Sequence, residues 1–166
     1  MNRLWAPWRM TYVGGSSAAG GCIFCNALAS GNDAKYLILE RGPRAFLILN
    51  AYPYTPGHLM AVINRHVGAL AEADAEELAD AMALAGLATR VLTEEYRAEG
   101  FNIGVNQGRV AGAGIEGHLH VHVVPRWNGD TNFMTTAAEV RVLPETLSSS
   151  AARVRAAWPG SVDHDG

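Results

Sequence analysis

The run His118-Leu119-His120-Val121-His122-Val123-Val124 constrains this chain more than any other stretch. Polar and aliphatic residues alternate strictly, which is the period of a strand with one buried face. Side chains along a strand point to opposite sides in turn, so His118, His120 and His122 share one surface and Leu119, Val121 and Val123 the other. Neighbouring imidazoles then stand roughly 6 to 7 Å apart at their backbones. The aliphatic face demands a second layer to cover it. The histidine face reads as a chemical site, for which three explanations compete: exposed rings without function, a metal held by three imidazoles, or nucleophilic and acid–base chemistry on phosphate. Neutral histidine suits zinc and copper, and it also forms covalent intermediates. The last explanation is preferred.

A core large enough to cover such a strand is available. The chain has 166 residues, 49% hydrophobic and 17% charged, which suits one domain. No apolar run approaches the ~20 residues that cross a bilayer, so no membrane association is expected. The start, Met1-Asn2-Arg3-Leu4-Trp5-Ala6-Pro7-Trp8-Arg9, lacks an apolar secretory core and reads as mature protein, with cytoplasm as the expected compartment. Thirteen basic against sixteen acidic residues give a net charge of −3. No basic run tracks a nucleic acid polymer, whereas a small phosphorylated molecule met by a few local cations fits.

Residues 1–21 read as an N-terminal arm with Trp5, Trp8, Met10 and Tyr12, followed by a flexible glycine- and serine-rich connector. Strands are expected over 36–41 and 45–50, joined at Gly42-Pro43-Arg44, and over 58–63 after the turn-rich loop Tyr52-Pro53-Tyr54-Thr55-Pro56-Gly57. A long helix should begin at the N-cap Asp74, with Glu77 completing a capping box, and stop at Gly100. Leu78, Met82, Ala85, Thr89, Leu92 and Tyr96 form its expected buried stripe. A fourth strand over 101–106 and a glycine-rich loop lead into the histidine strand, and a last helix is expected around Glu145–Trp158. The expected fold is therefore α+β, an antiparallel sheet of about five strands with one long helix and a C-terminal helix. The domain would span 22–158, with a frayed tail over 159–166.

The only two cysteines form Cys22-Ile23-Phe24-Cys25. They are either a redox pair or half of a tetrahedral zinc site, and the spacing alone leaves both open.

Taken together, the three histidines each followed by an apolar residue, Asn50, Pro56-Gly57-His58 and Asn106-Gln107-Gly108 resemble the histidine-triad superfamily. The likeness covers roughly Cys22 to Phe133. It implies attack by His120 on the α-phosphorus of a nucleotide, giving a nucleotidyl-imidazole resolved by water or another acceptor. His122 and His58 would assist, Asn50 would meet the ribose hydroxyls, and Asn106 would contact phosphate or leaving group. Backbone N–H groups around Gly114, in Gly112–Gly117, would meet phosphate charge. The chain departs from the family here, because it has no hydroxyl-bearing residue just before the triad. The resemblance also gives the cysteines partners: Cys22, Cys25, His66 and His118 would hold a structural zinc ion.

The continuation Pro125-Arg126-Trp127-Asn128-Gly129-Asp130 resembles the branch with bacterial diadenosine tetraphosphate phosphorylases and hydrolases. Arg126 would meet the distal phosphates, Trp127 would pack or stack on a base, and Asp130 would fix a turn or a subunit contact. The implied substrate is a dinucleoside polyphosphate, with magnesium as a further candidate beside it, and the implied assembly is a homodimer. The rivals are an adenylate phosphoramidase using the same nucleophile and a nucleotide-binding module without catalysis.

Overall fold

A computed structural model of the chain describes residues 21–130 and 145–159. The expectations for the N-terminal arm, for Thr131–Phe133 and for the tail from residue 160 lie outside the described residues.

The centre is a five-stranded antiparallel sheet: β1 (Ile38–Arg41), β2 (Ala45–Leu49), β3 (Leu59–Ile63), β4 (Gly100–Gly104) and β5 (His120–Arg126), in the order β1-β2-β3-β5-β4. Among the described residues four α-helices accompany it: α1 (Ile23–Ser30), the single turn α2 (Asp33–Tyr36), α3 (Ala75–Tyr96) and α4 (Leu147–Ala157). The α+β class and the strand count are as the sequence predicts. No described helix is long and apolar enough to cross a membrane.

Strand alternation divides the core into two layers. Ala45, Leu47, Leu49, Leu59, Ala61, Ile63, Leu119, Val121 and Val123 pack with α3, while Phe46, Ile48, Met60 and Val62 pack with Phe24 and Ala27 of α1. Both faces of β2 and β3 are buried, which explains their continuous apolar runs. The β1–β2 turn closes with a 2.8 Å bond from the Gly42 N–H to the Ala45 carbonyl, and Asp80 of α3 accepts from the N–H groups of Arg44 and Ala45.

Helix α3 starts as expected. Asp74 Oδ1 accepts from the Glu77 N–H at 2.8 Å, and Glu77 Oε2 accepts from the Asp74 N–H at 3.0 Å. Its end and its buried face differ from the sequence reading. The helix stops at Tyr96 because Arg97 takes a left-handed conformation (φ 52), and Gly100 opens β4 instead. The fully buried face is Ala81, Leu84, Ala85, Ala88, Val91 and Leu92, whereas Met82 is 52% exposed. Alanines at 81, 85 and 88 bring the backbone close to the sheet, so the small face wins over the bulkier stripe beside it. Tyr36 and Leu37 also leave the first strand: α2 ends at Tyr36, and Leu37 is left-handed (φ 61).

Candidate active site and metal centre

β5 lies between β3 and β4, with His120 opposite Val62, and His122 opposite Met60 on one side and Gly104 on the other. That register puts the histidine face of the sheet on the α1 side. The ring of Phe24 stands 5.3 Å from that of His118 and 5.2 Å from that of His120, centroid to centroid. The glycine at 104 leaves the floor beside His122 without a side chain.

Obligate backbone donors and acceptors around the rings fix where each proton sits. His120 Nδ1 lies 2.7 Å from the His118 carbonyl, which can only accept, so Nδ1 carries the proton and Nε2 keeps its lone pair. The N–H of Tyr54 donates to His58 Nδ1 at 3.1 Å, so His58 is protonated on Nε2. That Nε2–H donates to His122 Nδ1 at 3.0 Å, which leaves His122 with its proton on Nε2. The result is one imidazole offering a lone pair beside another offering a donor, with ring centroids 4.9 Å apart. Burial pushes the pKa of His120 down against the opposing pull of the His118 carbonyl, so the ring is neutral near pH 7.

Three residues of this cluster were foreseen: His58, His120 and His122. His58 is fully buried, and His120 is 4% exposed. Asn50 lies beside them. Its Nδ2 lies 3.3 Å from His58 Nδ1 and its Oδ1 accepts from the Tyr52 N–H at 2.9 Å, so it backs His58. Tyr54 escaped the sequence reading, although its ring centroid is 4.7 Å from that of His58. Its contribution is a backbone N–H, which no residue identity signals.

The remaining candidates lie in the segment between β4 and β5 and at the end of β5. Asn106 is half-buried two residues past β4. Gly114 lines a cavity of about 300 Å³ with Cys22, His66 and Gly117. Arg126 is held by Asp130 at 2.5 and 2.8 Å and by Asn102 at 2.7 Å, so its charge is already matched. Asp130 also accepts from the Trp127 N–H, fixing the turn, and Trp127 Nε1 donates to the Tyr96 carbonyl. Trp127 thus packs against the end of α3.

His118 points its Nδ1 elsewhere. Its Nε2 donates to the Ile63 carbonyl at 2.6 Å, which leaves Nδ1 unprotonated and 3.2 Å from Cys22 Sγ and 3.5 Å from Cys25 Sγ. His66 Nδ1 is 3.3 Å from Cys25 Sγ, and the four donor atoms all lie within 4.8 Å of one another. A tetrahedral zinc ion with bonds of about 2.3 Å to sulfur and about 2.1 Å to nitrogen would separate such donors by about 3.6 Å. The two thiols and two imidazoles therefore fit a metal ion. The three histidines of the strand do not form one metal set, because His118 joins the thiols while His120 and His122 stay with His58.

This chain belongs to the HIT domain family, whose model matches residues 32–129. It is 39% identical to the AP-4-A phosphorylase of Mycobacterium tuberculosis, over 95% of this chain and 85% of that protein. Its fold is similar to that of a Zn-bound histidine triad family protein from Mycobacterium smegmatis, with a TM-score of 0.69 and 30% identity over 83% of this chain and 93% of that one. It also resembles, in fold, the diadenosine triphosphate hydrolase of Plasmodium falciparum, with a TM-score of 0.60 and 19% identity over 74% of this chain and 76% of that one.

Proposed function

We propose that the chain cleaves dinucleoside polyphosphates, with diadenosine tetraphosphate as the substrate, through a covalent nucleotidyl-His120 intermediate. The observation that carries this reading is the 2.7 Å contact that pins the His120 Nδ1 proton to the His118 carbonyl and leaves Nε2 as the nucleophilic atom. Its support from relatives is the 39% identity to an AP-4-A phosphorylase.

His120 Nε2 attacks the α-phosphorus, an N–P bond forms, and the P–O bond to the departing nucleoside polyphosphate breaks. The proton stays on His120 Nδ1 and keeps donating to the His118 carbonyl, which stabilises the positive ring of the intermediate. The His122 Nε2–H donates to a non-bridging or leaving oxygen, a charge-stabilising contact that strengthens as the phosphorus takes on charge. An acceptor oxygen then attacks phosphorus, breaks the N–P bond and restores neutral His120. Water as acceptor gives AMP and ATP, whereas inorganic phosphate gives ADP and ATP. Backbone N–H groups of the Gly112–Gly117 loop and Asn106 contact the phosphates in this reading.

Cys22, Cys25, His66 and His118 would hold zinc. With four protein ligands the ion has no open position and supplies structural rigidity. The assembly we propose is a homodimer joined at β4, the outermost strand on its side of the sheet, where Ile103 is 44% exposed.

Incubation with diadenosine tetraphosphate, with and without phosphate, followed by product separation tests the activity. Denaturing the protein at alkaline pH, where the N–P bond of a nucleotidyl-histidine survives, and then measuring radiolabel on the protein tests the intermediate; brief acid should release that label. His120→Ala should abolish turnover and labelling while retaining nucleotide affinity. Wild-type protein that turns over no dinucleotide would defeat the proposal.

A further inference from the structure

The four metal donors are held very unequally. His118 is 1% exposed, with its ring tied to the Ile63 carbonyl in the sheet. Cys22 and Cys25 sit at the start of α1, whose Phe24 is locked in the core. His66 is different. It is exposed, lies on the loop between β3 and the short turn Leu70–Glu72, and borders the cavity shared with Cys22 and Gly117. Its one hydrogen-bonding contact among the described residues is with Cys25 Sγ. An ion leaving without unfolding the sheet or α1 must leave at this corner.

The residue before His66 is tied down firmly. Arg65 meets Glu77 in a two-point ion pair, Nε to Oε1 at 2.8 Å and Nη2 to Oε2 at 2.7 Å, and Nη2 also donates to the Glu72 carbonyl at 2.8 Å. The Glu77 side chain is 6% exposed, while that of Arg65 is 52% exposed. Glu72 Oε2 accepts from the N–H groups of Gly68 and Ala69, which closes the loop on itself. A Cβ on Gly68 would stand 2.9 Å from the Glu116 carbonyl oxygen, and one on Gly117 would stand 3.4 Å from His66 Nε2. The loop is therefore fastened at one end to α3 and pressed at the other against the glycine-rich segment.

We propose that Glu77, acting through Arg65, is a positioning residue for the metal centre: the pair latches the His66 loop to the first turn of α3 and sets how long a bound ion stays. This inference rests on the zinc reading given above. A buried carboxylate holding a planar guanidinium at two points restricts the adjoining backbone more than a single contact does. Partners one step removed from a metal commonly govern its affinity by about 10–100-fold. The competing reading is that Glu77 only caps α3, since it also accepts from the Asp74 N–H.

Three single variants and one double variant separate the two. Metal analysis of the wild-type chain comes first, and a value well below one zinc per chain would overturn the metal reading and the latch together. Zinc transfer to a chromogenic pyridylazo chelator then gives the release rate, and melting of the metal-free protein gives stability. Glu77→Gln should release zinc about tenfold faster or more. Arg65→Lys should do so by several-fold, and the double variant should be no faster than Glu77→Gln alone. Asp74→Ala breaks the helix cap while leaving the ion pair, so it should lower the melting temperature and keep the wild-type release rate. Wild-type release in both Glu77→Gln and Arg65→Lys, or equal acceleration in Asp74→Ala, would overturn the latch. Should Glu77→Gln fail to fold, Arg65→Lys at the exposed end of the pair decides the matter.

Discussion

Replacing His58 with phenylalanine isolates one step of the proton arrangement. The ring shape is kept, but the Nε2–H that donates to His122 Nδ1 at 3.0 Å is lost, and so is the acceptor for the Tyr54 N–H. A net hydrogen bond contributes about 0.5–1.5 kcal/mol. If that bond is what holds His122 in its Nε2–H form, its loss changes the tautomer population by roughly 2–13-fold at about 1.4 kcal/mol per tenfold. The expected outcome is a kcat about tenfold lower at most, with KM little changed. Leaving the part-buried Tyr54 N–H unpaired costs about 1–3 kcal/mol. At about 2–4 °C per kcal/mol for a chain of this size, the melting point falls by roughly 2–12 °C. Steady-state assays on diadenosine tetraphosphate and thermal melts measure both quantities, and nitrogen-15 shifts of His122 report its tautomer directly. A His122 proton found on Nδ1 in the wild type would refute the reasoning. A loss of kcat beyond about a thousandfold would refute it too, because a lost tautomer preference cannot account for so much.

Phe24→Ala should cost about 3–5 kcal/mol in urea unfolding, since the ring is 1% exposed and touches both His118 and His120. Arg126→Met should leave KM for the dinucleotide within a few-fold of wild type, because Asp130 already matches that charge; a tenfold rise would return Arg126 to the distal phosphates. The Arg65 guanidinium holds the Glu77 carboxyl down at about 2. A lowered folded-state value stabilises the protein above the ordinary carboxylate range, and that stabilisation is lost as pH falls from about 4.5 toward 2. The acid side of the urea midpoint against pH should therefore flatten in Glu77→Gln. Cys22→Ser should lose stoichiometric zinc and melt at a lower temperature, and added zinc should no longer raise its melting point.

Elements set by local chemistry were legible in the sequence, and those set by contacts distant in the chain were not. The strand period alone placed His118, His120 and His122 on one face, and Asp74 with Glu77 marked the start of α3. The two apolar stripes of that helix are adjacent and share Ala85 and Leu92, so choosing Ala81, Leu84 and Ala88 over Met82 and Thr89 required the sheet beneath them. Its end was misplaced because Arg97 takes a left-handed conformation that its residue type does not advertise. Within the site, His58 and the grouping of Cys22, Cys25, His66 and His118 followed from motif resemblance. The orientation of each ring depended on the Ile63, His118 and Tyr54 backbones, which carry no side-chain signature. Asn50 has its present place because the chain folds back eight residues later onto His58, a loop closure that residue types alone do not encode.

The carbonyl that orients the His120 ring comes from the main chain of His118, whose imidazole faces the thiols. Any residue at that position would present the same oxygen. A lineage could therefore discard Cys22, Cys25, His66 and the His118 ring one by one and still inherit a His120 imidazole with its lone pair on Nε2, because the aiming group is written into the strand and not into the residue that occupies it.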